Sequence, residues 1–353
     1  MEGWKGHFTR YTSHIIFYIS RIRYYAFFSI AICSIIAIFI AMSYFTPIRP
    51  TAEPAYFEIA SGATAKSIAT QLRSEKLIRS PFIFQLVVRL SGASRELKAG
   101  TYQLSQAMSL VNIIDYLRSG NVVLRRFVVP EGFTLAQIGQ LWEDEGSGET
   151  EAFNRVARDV RWREMYNISG NTLEGYLFQN TYRFADGTPV DKVIEMMLDE
   201  FDRQWTHELH EEAESLGFST HEILTLASII EKEAKADDER SFISAVYHNR
   251  LQLRWRLEAD PTVIYVLGDS HRLLTTADLK IDSPYNTYLH RGIPPGPICN
   301  PGLASILAAL RPAETSDLFF VAIGDGRHHF SRTFTEHQRM IRKLNGAKSR
   351  HVN

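Results

Sequence analysis

An uninterrupted stretch without a single charge, Tyr25–Phe45, sets the first condition on how this chain can fold. Its length is about that needed to cross the hydrocarbon core of a bilayer as a helix, and Pro47 and Pro50 end it. Ahead of it Lys5, Arg10, Arg21 and Arg23 outweigh Glu2, a net of +3, while over 46–65 Arg49 against Glu53 and Glu58 gives −1. An excess of Lys and Arg marks the cytoplasmic flank. The expectation is an N-terminal tail (1–24) in the cytoplasm, a transmembrane helix (25–45), and everything after it outside the cytoplasmic (inner) membrane. Ala41-Met42-Ser43 faintly resembles a signal cleavage site, but the apolar run is too long for a signal-peptide core. An uncleaved single-pass anchor is therefore expected.

At 353 residues the chain suits about two domains. A net charge of −1 carries no basic footprint for nucleic acid. Cys33 lies inside the apolar span, so a bridge to Cys299 is not expected. From Tyr56 to Trp142 one unit recurs: short strand, tight turn, Ser or Thr cap, amphipathic helix. Ile59-Ala60-Ser61-Gly62-Ala63-Thr64 leads to Ile68 and Leu72, and Val129-Pro130-Glu131-Gly132-Phe133-Thr134 leads to Ile138 and Trp142. Between them Tyr102 and Leu104 mark a strand, Ser109 a cap and Gly120 a helix stop, and Ser80-Pro81 opens another helix. Glu143–Glu149 is polar and contains Gly146 and Gly148, the composition of a linker.

After that linker, helices are expected over about 189–205, to about Leu216, and over about 238–253, the last with Phe242, Ile243, Val246, Tyr247 and Leu251 inward. Between them Ile223, Leu226, Ala227, Ile230 and Ala234 recur at helical spacing, with Thr220 as the N-cap. Glu231 falls at one margin of this apolar stripe, beside Leu224, Ala227 and Ser228, and Glu233 falls at the other. The two carboxyls cannot easily share one reacting atom. A carboxyl leaning on an apolar face is partly desolvated and can hold its proton near neutral pH, as a general acid must. Spacing alone does not choose between Glu231 and Glu233.

The blocks Ala227–Glu233, Asn249-Arg250-Leu251, Leu257–Val263, Ser283–Tyr288, Gly292–Ile298 and Asn300-Pro301-Gly302, in that order, resemble the signatures of the MltG (YceG-like) family of endolytic murein transglycosylases. The resemblance implies an α+β chain: a single N-terminal transmembrane helix, a small LysM-like membrane-proximal domain (46–148), and a larger, mostly helical catalytic domain (149–345) with a C-terminal β-hairpin, then a short tail (346–353). It implies Glu231 as the acid/base, no cofactor and no metal. It also implies peptidoglycan glycan strands as substrate, and penicillin-binding proteins of the elongation machinery as partners. The bond cut would be the MurNAc–GlcNAc β-1,4 link, closing to a 1,6-anhydroMurNAc end that terminates elongation.

Within that frame Glu174, Ser228, Asp260, Tyr285, Asn286, Thr287 and Tyr288 are the residues placed to line a groove or grip a sugar. The proline-rich, aromatic span from Leu257 to Pro301 reads as ordered loops building a site. One departure stands out: Gln179-Asn180 follows Glu174–Phe178 where the family usually carries Pro-Asp, so one carboxylate is missing. Two other readings compete. A muramidase-type hydrolase would need a second carboxylate beside Glu231, for which Glu174, Glu258 or Asp260 could fold close. A non-catalytic membrane scaffold would bind glycan and recruit wall synthases.

Leu318–Ile323 and Arg327–Thr333 flank Gly324-Asp325-Gly326 as a hairpin. Its His328 and His329 then point to opposite faces and form no metal clip. No His-Glu-x-x-His pattern and no Gly-x-Ser-x-Gly elbow occurs. The tail after Leu344 is short and basic and is expected to fray.

Overall fold

The computed structural model describes residues 3–268 and 274–350, with side chains from 21 to 346 outside that gap. Two compact units divide after Leu124. The first contains helix α1 (Gly3–Phe45), which joins the expected tail and span into one element, then β1 (Ala55–Ile59), α2 (Ala65–Ser74), α3 (Pro81–Leu90), β2 (Gly100–Leu104) and α4 (Leu110–Ser119). The side chains of Glu2, Lys5 and Arg10, which set the charge of the N-terminal flank, lie outside the described residues. Strand β1 runs antiparallel to β2, from Ala55 opposite Leu104 to Ile59 opposite Gly100. Helices α2, α3 and α4 each start where a hydroxyl satisfies an orphan amide: Thr64 accepts from Ser67, Ser80 from Ile83 and Ser109 from Asn112. Their apolar faces close over Phe57, Ile59, Tyr102 and Leu104.

The second unit opens with β3 (Leu124–Val129) and α5 (Leu135–Asp144), continues through α6 (Thr150–Ala157) and α7 (Val160–Met165), and reaches β4 (Asn180–Ala185), which pairs with β3. The rings of Phe127, Trp142 and Phe184 meet at 5.6–6.2 Å between centroids. This packing draws β3 and α5 into the second unit, so the division falls ahead of the Glu143–Glu149 stretch. The helices α8 (Val190–Gln204), α9 (His207–Ser215), α10 (Thr220–Glu233), α11 (Arg240–Gln252), α12 (Asp260–Leu267) and α13 (Leu303–Leu310) follow. Strands β5 (Phe319–Gly324) and β6 (Arg327–Ser331) pair antiparallel, and α14 (Phe334–Arg350) closes the described chain. Residues expected to fray after Leu344 thus continue the helix, while 351–353 lie outside the described residues.

Helix α10 is the axis of this unit, with α9, α11, α12 and α13 packed around it. All eight residues from Ile223 to Ile230 are buried, so the helix is enclosed on every side and not on one stripe alone. Ser219, not Thr220, is its N-cap. The Ser219 hydroxyl accepts from Glu222 N while the Glu222 carboxylate accepts from Ser219 N, a capping box that Thr220 could not complete. Two further sequence expectations are corrected. Asp260-Pro261 opens a helix instead of a loop, because Pro261, second in the helix, falls in the first turn, where an amide has no partner within the helix. Phe242 is 43% exposed and packs on Phe330 of β6 at 5.7 Å, at the rim of α11 and not inside it.

Candidate active site

Glu231 is the first residue of α10 to leave the buried run, and its side chain is 9% exposed. Its Oε2 accepts from Gly302 N at 3.1 Å and from Ser305 Oγ at 2.6 Å, both at the N-terminus of α13. A guanidinium nitrogen of Arg240, at the start of α11, lies 4.0 Å from Oε1. Arg240 is fixed in turn by Ser305 Oγ at 3.0 Å and by Asp237. One carboxyl oxygen is therefore held, while Oε1 accepts no hydrogen bond among the described residues.

Three loops converge on this carboxyl, and Asn300 stitches them. It is 1% exposed. Its side-chain oxygen accepts from Gly175 N and Leu177 N, both at 2.9 Å, while its side-chain nitrogen donates to Phe133 O at 2.9 Å and Glu174 Oε1 at 3.2 Å. Its backbone exchanges two further bonds with Gly132 and Phe133. The approach at Gly175 leaves no room for a side chain, and a Cβ at Gly132 would stand in van der Waals contact with Glu231. A Cβ on Gly175, at φ +89°, would stand 2.4 Å from Pro297, and one on Gly132, at φ +74°, 3.4 Å from Glu231 Cγ.

The same convergence brings a second carboxyl to the centre, that of Glu131. A Cβ on Gly302 would lie 2.4–2.6 Å from the three atoms of the Glu131 carboxyl, so Glu131 and Glu231 flank one glycine. Burial raises the Glu131 pKa, the negative charge of Glu231 raises it further, and Arg240 opposes both. In sequence Glu131 looked like part of a strand–turn–cap scaffold, and only its Pro-Glu-Gly turn, repeated nowhere else in the chain, set it apart.

The residues singled out in the sequence fall into three groups. Glu174 is 5% exposed and accepts from Leu135 N at 2.9 Å, from Asn300 and from Tyr265 Oη at 3.4 Å. It lines a cavity of about 630 Å³ together with Lys232, Arg158, Tyr265 and Ile298. Ser228 is fully buried: it donates to Thr225 O at 2.7 Å and accepts from Ile298 N at 3.0 Å, which fixes the loop leading to Asn300. Tyr285 packs on Tyr265 at 5.1 Å.

Asn286 and Thr287 are 1% and 2% exposed, and their polar atoms are committed to the fold. The Asn286 amide donates to Leu279 O and Ile281 O, and Thr287 Oγ1 accepts from Ala259 N. Neither is free to grip a sugar here. Tyr288 Oη donates to Asp260 at 2.5 Å. Asp260 belongs with the other carboxyl of α10: its charge, after burial, helps push Glu233 up to about 7, while Tyr247 Oη donates to Glu233 at 3.1 Å and opposes the shift. Glu258 pairs with Arg250 at 3.5 Å. Hence Glu231 and Glu233 stand in separate surroundings. Glu131, and neither Glu258 nor Asp260, shares the first.

Gln179 has a task where a proline is usual. With its amide turned to satisfy both neighbours, it donates to Pro301 O at 3.0 Å and accepts from Leu303 N at 3.2 Å. In the opposite orientation it donates to Glu131 Oε1 at 3.4 Å. The first orientation braces the loop that presents Gly302, and the second holds Glu131 beside it. His328 binds Glu239 at 2.9 Å, and no group of three or more His, Cys, Asp or Glu suited to a metal occurs among the described residues.

Burial also makes a pH prediction. Desolvation lifts Glu174 from 4.5 to about 7, against the Leu135 and Tyr265 bonds and the Lys232 charge. Between those values the folded protein keeps a proton that the unfolded chain has lost. Stability is therefore full below about 4.5 and falls as pH rises to about 7, by on the order of 3 kcal/mol for this group. Urea unfolding should show a lower midpoint at pH 8 than at pH 5. The difference should shrink in Glu174→Gln; an unchanged difference would refute the assignment.

Residues 57–343 match the profile of the YceG-like family. A protein of Bacillus subtilis (strain 168) named endolytic murein transglycosylase is 35% identical over 307 residues, 82% of this chain and 85% of that protein. One of the same name from Streptococcus pneumoniae (strain D39) is 29% identical over 315 residues, 80% of this chain but 57% of the longer relative. The crystal structure of a yceG-like protein from Listeria monocytogenes superposes with a TM-score of 0.57 at 35% identity, covering 82% of this chain and all of the other.

Proposed function

The chain belongs to the YceG-like family, and from that premise we propose that it is a membrane-anchored endolytic lytic transglycosylase of peptidoglycan. It cuts the MurNAc–GlcNAc β-1,4 bond of nascent strands, leaves 1,6-anhydroMurNAc ends and so terminates elongation. The observation that carries the proposal is the setting of Glu231, a carboxyl at the end of a buried helix with one oxygen held by Gly302 and Ser305 and the other facing Arg240 with no hydrogen bond among the described residues.

In this mechanism protonated Glu231 donates to the glycosidic oxygen as the bond to C1 breaks. The carboxylate so formed takes the proton of the MurNAc C6 hydroxyl, whose oxygen closes onto C1. Donation of the first proton creates the base that the second step needs. Arg240 stands close enough to stabilise that carboxylate between the two steps. Lys232 and Glu174, lining the adjacent cavity, supply polar contacts for the strand beside the acid. The first unit corresponds in this reading to the LysM-like membrane-proximal domain and the second to the catalytic domain. Penicillin-binding proteins are the partners that would supply nascent strands.

Mass spectrometry of digested, uncross-linked glycan tests the proposal. Anhydro ends are expected. Reducing ends alone would identify a hydrolase, a reading to which the nearness of Glu131 lends support, and absence of cleavage would leave a scaffold. Topology has its own test, motivated by Arg21–Phe45, the one helix among the described residues long and apolar enough to cross a membrane, and by its basic flank. Protease added to spheroplasts should digest the chain beyond about residue 50 and spare the N-terminus. Protection of the second unit would overturn both the orientation and the substrate.

A further inference from the structure

Phe82, Leu86 and Leu90 stand four residues apart on α3 and so form one edge of that helix. Phe82 is 71% exposed and Leu90 79% exposed, with half-buried Leu86 between them, whereas Ile83, Phe84 and Val88 on the other side enter the core. Single apolar residues at a surface need no explanation, but an aligned edge of them does. Its position supplies one. Arg79, just ahead of the cap Ser80, gives one guanidinium nitrogen to Thr46 O at 2.6 Å and Met42 O at 3.3 Å, and the other to Pro47 O at 2.6 Å. Thr46 and Pro47 lie just past the end of α1, and Arg79 gives their carbonyls a side-chain partner.

Ile40 and Tyr44 of α1 also pack against the core of the first unit. The base of α3 is thus fastened to the last turns of the apolar helix. A span needs about 20 residues to cross the hydrocarbon. Counted from Arg23, the last charge before the apolar run, that length ends in the very turn that Arg79 grips. The membrane boundary and the start of α3 therefore coincide.

We propose that the Phe82–Leu86–Leu90 edge of α3 lies in the interfacial layer of the bilayer that α1 crosses, giving the first unit a second hold on the membrane. The proposal rests on the reading of α1 as a membrane span and is independent of its direction. Arg89, beside Leu90, is exposed and has no ion pair among the described residues. It is placed to meet lipid phosphates while the apolar edge enters the layer beneath, as in helices that lie along a membrane surface. Fixed at two points, the unit cannot swing freely about the end of its anchor.

The test uses the full chain in vesicles of phosphatidylcholine and phosphatidylglycerol, with Phe82→Trp and Leu90→Trp as separate variants. Replacing the lipids by analogues brominated near the top of the acyl chains should quench the introduced tryptophan roughly twofold, beyond any quenching of the wild-type chain. Both sites are exposed enough to accept the larger ring, and an unchanged melting temperature checks this for each variant. Flotation of the protein with the vesicles separates the two levels of the argument. Chains that float but show no added quenching at either site overturn the proposal alone. Chains that fail to float overturn the anchor on which it rests.

Discussion

Glu231→Gln is expected to abolish strand cleavage, lowering the rate by about 10²–10⁴-fold, the range a general acid–base group contributes, with little change in melting temperature. The amide oxygen of Gln can still accept from Gly302 N and Ser305 Oγ, the two bonds that tie α10 to α13. What Gln cannot do is release and recover a proton. Glu233→Gln provides the contrast. Glu233 points to Tyr247 and lies near Asp260, and burial already favours its protonated form up to about pH 7. A neutral amide there should keep cleavage within about tenfold of wild type. Anhydro product from Glu231→Gln at the wild-type rate would end the assignment.

Glu131→Gln decides between one carboxylate and two. In the lytic mechanism Glu231 acts twice, and Glu131 contributes charge near the reacting sugar. The rate should then fall by about tenfold, well short of the loss for Glu231, and every new end should still be anhydro. In a hydrolase Glu131 would be the nucleophile or base, with carboxyls about 5–5.5 Å apart for retention or about 6.5–9.5 Å for inversion. Its loss would then match that of Glu231→Gln, and azide could fill the vacancy to give a glycosyl azide. That product would overturn the lytic mechanism.

Gly302→Ala offers an independent route to the same answer. At φ −69° and ψ 159° the backbone accepts alanine without strain, but the new Cβ would fall on the Glu131 carboxyl. It should displace Glu131 while leaving the Gly302 N bond to Glu231, and so reproduce the Glu131→Gln phenotype. Asp260→Asn should be milder than either, because Asp260 serves Tyr288 on the far margin of α10.

Much of this architecture is written locally. The uncharged run up to Phe45, the caps at Thr64, Ser80, Ser109 and Thr134, and the apolar stripe of α10 all follow from residues within a few positions of one another, whereas the enclosure of α10 on every side comes from the helices packed around it. Helical periodicity alone placed Glu231 and Glu233 at opposite margins, and their surroundings in the fold are indeed separate. Local rules also mark where sequence stops being decisive. Asp260-Pro261 can begin a turn or a helix with equal ease, and the packing of α12 against α10 selects the helix. Likewise the two copies of the strand–turn–cap–helix unit are alike in sequence, yet β1 pairs with β2 in one compact unit and β3 with β4 in the other.

The partners of Glu231 show the limit most plainly. Glu131, Arg240 and the Gly302–Ser305 pair come from three separate segments, and none carries a local period that points to the carboxyl. They meet because one buried amide, Asn300, binds the 132–133 and 174–177 backbones at once and sets Gly302 over the end of α10. Sequence determined which way Glu231 faces on its own helix, since that depends on a fixed turn per residue. What faces Glu231 in return was decided only by the tertiary structure, because hydrogen bonds between segments 71 and 74 residues apart obey no sequence period.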